Sequence, residues 1–176
     1  VSAGSGSKRF WICEFLHVTE TRIADKCKGI NCAICSGHQV LAGFNDLQTT
    51  KPEIALQADG WDPKTVSQGS GVEKTWICAL GHRWVARVSA RSNGVGCPVC
   101  GNRELLKGFN DLATTYPDLA SQADGWDPMT VSKGSHKRVG WKCELGHKWS
   151  ARVKGRSLRG EGCPFCSGND LLVGFN

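Results

Sequence analysis

The sequence predicts three small α+β modules in tandem, each with a knuckle, a β-hairpin and a short helix, joined by helical linkers. Three observations predict this arrangement. Cys13, Cys78 and Cys143 recur at intervals of 65 residues, a histidine follows each of them at the fourth position, and the segment 43–70 returns almost unchanged at 108–135. Because a fixed internal period identifies repeated structural units, we interpret the 176 residues as a modular array rather than one continuous domain.

The module boundaries follow from the repeat. Modules are predicted at 1–42, 66–107 and 131–173, helical linkers at 43–65 and 108–130, and the start of a further linker at 174–176. The residues from Val1 to Ser5 match the end of the segment Thr-Val-Ser-x-Gly-Ser that precedes the other two modules. We therefore expect the chain to be a piece of a longer array or one region of a larger protein.

Each module contains the pattern Cys-x3-His, followed after 14 or 15 residues by Cys-x2-Cys. Two such short pairs can place three thiolates and one imidazole around one ion as a tetrahedron, and zinc suits this mixture of donors. Four protein ligands leave no position for a reacting water, so we expect structural sites. The predicted ligands of three zinc ions are Cys13, His17, Cys32 and Cys35, then Cys78, His82, Cys97 and Cys100, then Cys143, His147, Cys163 and Cys166.

Other roles for these residues fit less well. A secreted disulfide framework would have no use for the histidines. Nine of the cysteines fall into three triplets, and three cysteines cannot all form disulfides within one module. Two alternatives to zinc remain: the cysteines are ordinary buried residues that bind no metal, or the sites hold iron or an iron–sulfur cluster. Cys27 aligns with Ser92 and Ser157, which predicts a small buried residue, with a redox sensor or spare ligand as alternatives. His38 and His136 have no counterparts in the other modules and are predicted on the surface.

The location of the protein follows from the same cysteines. Thiolates kept reduced for a metal ion indicate a cytoplasmic protein. No apolar run in the sequence reaches the length of about 20 residues that a membrane-spanning helix needs. We therefore expect no membrane as a partner.

Alternation of residue type predicts a hairpin around each knuckle. Trp84, Ala86 and Val88 fall on one face of the second arm, whereas Arg83 and Arg87 fall on the other. In the third module Trp149, Ala151 and Val153 likewise fall opposite Lys148, Ser150, Arg152, Lys154 and Arg156. We expect the seven tryptophans to form the core, with base stacking by an exposed indole as the alternative.

Helices are predicted after the second cysteine pair and within the linkers. The stretch 104–106 is a candidate for the short helix of the second module. In the first linker, Asp46 marks a helix start, Thr50 and Glu53 resemble a capping box around a proline, and Gly60 is a suitable stop. The second linker carries the same signals.

The most specific stretches are Trp76-Ile77-Cys78, Gly81-His82-Arg83-Trp84 and Gly96-Cys97-Pro98-Val99-Cys100, each with a copy in the third module. Together with the Trp-Asp-Pro of the linkers, they resemble the zinc-ribbon, or treble-clef-like, domain family. That family occurs in strings in actinobacterial and phage proteins and beside endonucleases like those of very-short-patch repair. The resemblance implies treble-clef-like modules, zinc binding and, by association, nucleic-acid binding.

Two departures from this resemblance matter. No nuclease residues accompany the match, so the chain itself is not expected to be an enzyme. In the first module Leu16, Thr19 and Ala33 replace a glycine, a tryptophan and a proline, which predicts a looser or degenerate module.

The net charge of +6 is unevenly distributed. The regions 1–35, 66–100 and 131–166 carry +2, +3 and +7, whereas the stretches 36–65 and 101–130, which contain the linkers, carry −2 and −3. A zinc ion with three thiolates adds −1 per site, which leaves a metal-bound total of about +3. The positive charge is therefore concentrated on the modules, and most strongly on the third.

Two functions from different classes fit this charge. Basic hairpin faces can contact nucleic acid, because arginine pairs with phosphate or guanine and a two-stranded ribbon fits the major groove. The candidate contacts are Arg22, Lys26, Arg83, Arg87, Arg91, Lys148, Arg152 and Arg156. We expect DNA, on the family association alone, and a role as the targeting region of a larger protein that contains a nuclease. The alternative is a zinc-stabilised protein–protein interaction scaffold, and a redox or metal-storage role is a third hypothesis.

Overall fold

A computed structural model describes residues 2–171 of the chain, so the predicted linker start at 174–176 lies outside the described residues. The chain divides into two compact units, Val1–Cys97 and Pro98–Asn176. In chain order the elements are β1 (Lys8–Ile12), β2 (Val18–Arg22), α1 (Ile23–Cys27), α2 (Leu47–Thr50), α3 (Pro52–Ala55), β3 (Glu73–Ile77), β4 (Arg83–Arg87), α4 (Val88–Ser92), α5 (Leu112–Thr115), α6 (Pro117–Ala120), β5 (Arg138–Lys142), β6 (Lys148–Arg152) and α7 (Val153–Arg159).

The three predicted hairpins are confirmed. Strands β1 and β2, β3 and β4, and β5 and β6 form three separate antiparallel pairs. In the second pair Trp76 lies opposite Trp84, and in the third Trp141 lies opposite Trp149. Each second strand runs directly into a short helix, so that Val88 continues the inward face of β4 and is fully buried.

The expected helix at 104–106 is wrong, because the short helix of the second module is α4. The backbone at 104–106 is committed to loop contacts instead. The N–H of Glu104 donates to the carbonyl of Pro98, and the N–H of Leu106 donates to the side-chain oxygen of Asn110. Leu105 and Leu106 are 38% and 41% exposed, so these residues provide no buried apolar face against which a helix could pack.

The predicted linker helix starts are confirmed, but the capping boxes are wrong. Asp46 is the N-cap of α2, and its side chain accepts a hydrogen bond from the Thr49 N–H. Thr50 belongs to the end of α2, where its hydroxyl donates to the Asp46 carbonyl, and Lys51 precedes the proline of α3 without a side-chain cap. Gly60 does not end α3, but has a φ of +76° in the turn that follows it.

The linkers form part of the core of the hairpin that follows. Leu47 and Ala55 pack with Val66, Trp76 and Val88 in one cluster. Leu112, Val131, Trp141 and Val153 are the copies of four of these residues, and they pack with Val139 in a second cluster. Trp76 and Trp141 are fully buried, and Trp61, Trp84, Trp126 and Trp149 pack against the two clusters. The expectation of a tryptophan core is therefore confirmed for six of the seven, whereas Trp11 belongs to neither cluster.

Each of these linkers also lies along the outer edge of its hairpin. The Ile77 N–H donates to the Gln57 carbonyl at 2.9 Å, and the Asp59 N–H donates to the Thr75 carbonyl at 3.1 Å. The third module has the same two bonds at its own edge.

Within residues 2–171, no helix combines the length and apolar character needed to cross a membrane.

Candidate metal centres and the adjoining basic surface

The first ligand pair of each module lies in a tight knuckle between the hairpin strands. In the second module the Gly81 N–H donates to the Cys78 carbonyl at 2.9 Å, and the Cys78 N–H donates to the His82 carbonyl at 3.1 Å. Gly81 has a φ of +80°, a region that glycine enters without steric cost. In the first module Leu16 takes this position with a φ of +61° and keeps the same bond to the Cys13 carbonyl. The knuckle therefore forms without its glycine.

The second ligand pair is tied to the start of the next linker by an asparagine that sequence reasoning missed. The amide nitrogen of Asn110 donates to the carbonyls of Val99 and Glu104, and its oxygen accepts from the Leu106 N–H. Asn45 makes the equivalent bonds in the first module. The signal that could have found this role is the recurrence of asparagine at a fixed distance after each Cys-x2-Cys.

The twelve predicted ligands come together in three groups, and within each group the donor atoms all lie within 4.8 Å of one another. In the first group His17 Nδ1 lies 3.5 Å from the Cys13 Sγ, 3.9 Å from the Cys32 Sγ and 3.3 Å from the Cys35 Sγ. In the second group His82 Nδ1 lies 3.5 Å from the Cys78 Sγ and 3.8 Å from the Cys97 Sγ, and in the third His147 Nδ1 lies 3.3 Å from the Cys166 Sγ and 3.7 Å from the Cys163 Sγ.

These distances fit zinc. A tetrahedral ion with Zn–S near 2.3 Å and Zn–N near 2.0 Å places neighbouring sulfurs about 3.8 Å apart and sulfur and nitrogen about 3.5 Å apart. The Cys13 and Cys35 sulfurs are 3.7 Å apart, and those of Cys143 and Cys166 are 3.8 Å apart. The chain thus has three Cys3His zinc sites, as predicted. The substitutions in the first module do not disperse its ligands.

The local electrostatics of the thiols show why a cation stabilises the cluster. The backbone N–H of Cys35 is the largest of the causes that lower the pKa of Cys32 to about 6. Burial is the largest of the causes that raise the pKa of Cys35 to about 12, and neighbouring thiols add to it. Because close thiolates cannot all ionise alone, zinc binding displaces the remaining protons and offsets two of the three negative charges.

Three of the candidate nucleic-acid contacts, Lys26, Arg91 and Arg156, lie against tryptophan rings instead of on the exposed strand face. The guanidinium carbon of Arg91 is 5.2 Å from the ring centroid of Trp76 and 5.1 Å from that of Trp84. Arg156 lies 4.9 Å from each of the rings of Trp141 and Trp149. The expectation that Arg156 lies opposite the tryptophans is wrong, because it belongs to α7, where strand alternation no longer applies.

Arg91 is only 3% exposed and forms polar contacts within the module. Its Nη2 donates to the Gln57 Oε1 at 2.5 Å, and its Nη1 donates to the Val95 carbonyl. Burial lowers its pKa, whereas the neighbouring Cys97 thiolate raises it. Lys26 is the counterpart in the first module and lies 5.9 Å above the ring of Trp11.

Arg83 and Lys148 are exposed, but both pair with linker carboxylates. The Arg83 Nε lies 3.0 Å from Asp59, and the Lys148 Nζ lies 3.1 Å from Asp124. The positive charges of Arg83 and Lys148, which were expected to face a ligand, are therefore each paired with a carboxylate.

Arg22, Arg87 and Arg152 are exposed at equivalent strand ends. Their partners across the hairpin differ. The pairs are Lys8 with Arg22, Glu73 with Arg87 and Arg138 with Arg152. Only the second module therefore places an acid opposite its arginine.

The third module has a basic cleft of about 730 Å³ beside this last pair. Its cationic or titratable basic lining residues are His136, Arg138, Arg152, Lys154 and Arg159. Glu161 and Asp170 are the acids of the lining, and Glu161 lies 3.8 Å from Arg159. Arg138, Lys154 and Arg159 are not among the contacts that the sequence predicts, because residue spacing alone does not give the hairpin register that brings Arg138 and Arg152 together.

The remaining histidines and the tenth cysteine are on the surface. His38 and His136 are exposed, as predicted. Cys27 is also exposed, so the expectation of a buried residue is wrong, and it belongs to none of the three ligand groups found within residues 2–171. In the other modules Ser92 and Ser157 use this position to donate to carbonyls one helical turn earlier.

Comparison with known proteins agrees with this geometry. The family described as "Probable Treble clef zinc finger domain" matches residues 57–103 and 119–169, which together are more than half of the chain. Each match begins within a linker and includes one complete hairpin and one complete zinc site. No curated protein matches the chain. The treble-clef-like fold is confirmed, and the chain belongs to this family of probable treble clef zinc finger domains.

Proposed function

We propose that the chain is a nucleic-acid-binding array, with duplex DNA as its ligand and the basic cleft of the third module as its main contact. The observation that carries the proposal is the pairing of Arg138 with Arg152 directly across a two-stranded hairpin. Like charges in this relationship destabilise a hairpin. Their energetic cost is offset when a phosphate lies between or beside the two guanidinium groups.

The surroundings of this pair support the same proposal. Lys154, Arg159 and His136 line the cleft, so an anion there meets several cations within one concave surface. Arginine binds phosphate with two parallel hydrogen bonds, which fixes position as well as charge. The second module lacks this concentration of charge, because Glu73 lies opposite Arg87.

The first module contributes a second and weaker basic pair. Lys8 lies opposite Arg22, and the Lys8 Nζ also lies 3.5 Å from the carboxylate of Glu20. Modules arranged in tandem can contact successive parts of one polymer, as linked zinc fingers do. The zinc sites hold the hairpins in shape, and we propose no catalytic role for the chain.

The wider setting is part of the proposal. Reduced cysteines suit the cytoplasm, and the resemblance of the sequence to modules found beside endonucleases suggests that the array targets a nuclease in the same protein. A protein-interaction scaffold is the competing function for zinc modules of this kind.

A binding panel tests the proposal. Zinc-loaded chain is titrated at low salt into labelled duplex DNA, single-stranded DNA and RNA of one sequence, with anisotropy as the measurement. We expect the duplex to bind most tightly, and binding to weaken steeply as salt rises, because phosphate contacts release counterions. Preference for RNA or a single strand would exclude duplex DNA as the ligand. Failure of all three to bind would favour the scaffold.

A further inference from the structure

The basic cleft of the third module is absent from the charge pattern of the second module, although the two modules are copies of one repeat. Basic residues stand in the third module where the second has neutral or acidic ones: His136 for Gly71, Arg138 for Glu73 and Lys154 for Ser89. The third module is also one residue longer between its helix and its second cysteine pair, and Arg159 lies in that stretch. All of these residues line the cleft, so the differences between the copies are concentrated in one place.

The basic residues reach the cleft from separate elements. His136 precedes β5, Arg138 lies in β5 and Arg152 ends β6, whereas Lys154 and Arg159 belong to α7. An anion inside the cleft is therefore surrounded by cations instead of being contacted from one side.

One of these cations is held at the wall of the cleft. The Arg138 Nη1 donates to the Ser150 carbonyl at 2.9 Å, and Ser150 also lines the cleft. This bond leaves the rest of the guanidinium for a ligand and reduces the freedom that Arg138 loses when it binds one.

The exposure of this surface is a property of the module and not of the end of the chain. The second module is followed by more than 70 residues of chain, and its counterparts Gly71, Glu73 and Arg87 are exposed as well.

The charge of the lining matches that of a phosphate monoester. Four Lys/Arg and two Asp/Glu line the cleft, which gives a net charge of +2 with His136 neutral. A phosphate monoester carries about two negative charges at neutral pH and has three acceptor oxygens. A phosphate within a DNA strand carries one charge. The volume of about 730 Å³ is also in the range of clefts that hold a small ligand, so a nucleotide can enter together with its phosphate.

We propose that the basic cleft of the third module binds the phosphate monoester at the end of a DNA strand, an inference that rests on the proposed DNA binding. Arg138 and Arg152 hold the phosphate oxygens, and Lys154 and Arg159 add charge from α7. A terminal phosphate projects from the duplex and can enter a concave surface. An internal phosphate is flanked by the strand on both sides and meets only the rim. The array therefore prefers phosphorylated DNA ends to continuous duplex.

Duplexes of one sequence that differ only at their ends test the proposal. The ends carry 5′-phosphates, 3′-phosphates or hydroxyl groups alone, and a further duplex is closed at both ends by hairpin loops. The full zinc-loaded chain is titrated into each labelled duplex, with anisotropy as the measurement. We expect at least one phosphorylated duplex to bind about tenfold more tightly than the hydroxyl and closed duplexes, a difference of about 1.4 kcal/mol.

Lys154→Gln with Arg159→Gln is the decisive variant, because it removes the two cations of α7 and keeps the arginine pair. The preference for phosphorylated ends should fall to about twofold or less. The matched control is Lys28→Gln with Lys64→Gln, which removes the same charge from exposed positions outside the cleft and should keep the preference. Zinc content and thermal unfolding verify both variants. If the cleft variant loses zinc, Arg159→Gln alone takes its place, with a several-fold smaller preference expected.

The outcomes separate this inference from the proposed function. Equal binding of phosphorylated, hydroxyl and closed duplexes overturns the inference and leaves DNA binding in place. Failure of every duplex to bind overturns both. An undiminished preference in the folded, zinc-loaded cleft variant excludes this cleft as the site of the end. Binding of a phosphoserine peptide as tightly as the phosphorylated duplex makes a phosphorylated protein the ligand and also overturns the inference.

Discussion

Arg156 donates a hydrogen bond of 2.7 Å from its Nη2 to the Oε1 of Gln122, which joins the linker to the helix beside the third zinc site. The second module repeats the bond between Arg91 and Gln57. The thiolates of Cys163 and Cys143 raise the pKa of Arg156 against the larger, lowering effect of its burial. A guanidinium in this position balances the net negative charge of a zinc ion with three thiolates.

Arg156→Ala should therefore destabilise the zinc-loaded protein. The change removes a cation–π contact with two indoles and a charged hydrogen bond, so we expect a loss of about 2–4 kcal/mol. Arg152→Ala is the matched control, because Arg152 is an exposed strand residue and should cost less than about 0.5 kcal/mol. Urea unfolding with tryptophan fluorescence measures both. Equal destabilisation by the two variants would contradict a structural role for Arg156.

The zinc content should be three ions per chain. Cys35→Ser removes a ligand of the first site and should reduce the content to two, whereas Cys27→Ser should leave it at three. Elemental analysis of protein purified without a metal-binding tag measures these values. A content of two in the unchanged chain would show that the first module, with Leu16 in its knuckle, does not close its site.

The ligands and hairpins could be predicted from the sequence because their signals are local. Cys78 and His82 are four residues apart, and Trp84 and Ala86 alternate along one strand. The role of Asn110 was missed although its recurrence after each Cys-x2-Cys is a usable signal, whereas the packing of Leu112 against Trp141 could not be predicted, since it depends on which face of a linker meets a hairpin.

The basic residues show the same limit. Strand alternation correctly placed Arg83 and Arg87 on the exposed face, but it does not extend past the end of β4, so it misplaced Arg91. The Arg138–Arg152 pair required the strand register, which fixes cross-strand neighbours and cannot be obtained from spacing alone. The sequence therefore predicts which regions carry positive charge, but not which residues the basic side chains contact.

Removal of zinc should unfold the tryptophan cores. Trp76 is fully buried within a small cluster that also includes Leu47, Ala55, Val66 and Val88. A cluster of this size does not hold a domain together alone, and formation of a structural zinc site is coupled to folding. Strong chelation should therefore abolish the near-ultraviolet circular dichroism of the indoles, and added zinc should restore it. Survival of that signal after complete removal of zinc would show that the cores fold without metal.

Asp111→Ala should destabilise the third module at neutral pH. Asp111 is fully buried, caps α5 and accepts from the Thr114 N–H, the Thr114 hydroxyl and the Gly108 N–H. Burial alone would raise its pKa, but these donors outweigh burial, and the pKa lies below the usual aspartate value. The stabilisation is therefore complete above about pH 4 and is lost as pH falls through the lowered pKa.

At neutral pH the Asp111 carboxylate is ionised, so Asp111→Ala removes its full contribution to the free energy of unfolding. We expect this loss to be about 1–2 kcal/mol, as for a lost N-cap. Thermal unfolding of zinc-loaded protein is the measurement. Asp118→Ala, at an exposed position in α6, is the control and should have little effect. A similar loss in both variants would mean that general charge, and not capping, stabilises this segment.

The salt dependence of DNA binding should fall when the arginine pair of the third module is removed. Each phosphate contact contributes about 0.9 to the slope of log affinity against log salt, so Arg138→Gln with Arg152→Gln should reduce the slope by about 1.8. The control removes the same charge elsewhere, by Lys28→Gln with Lys64→Gln, two exposed lysines outside the cleft. Zinc content and thermal unfolding of both double variants must match the parent protein. If the cleft variant keeps its affinity and slope while remaining folded, the third module does not contact phosphate through this pair. If both double variants weaken binding equally, net charge rather than the cleft determines affinity.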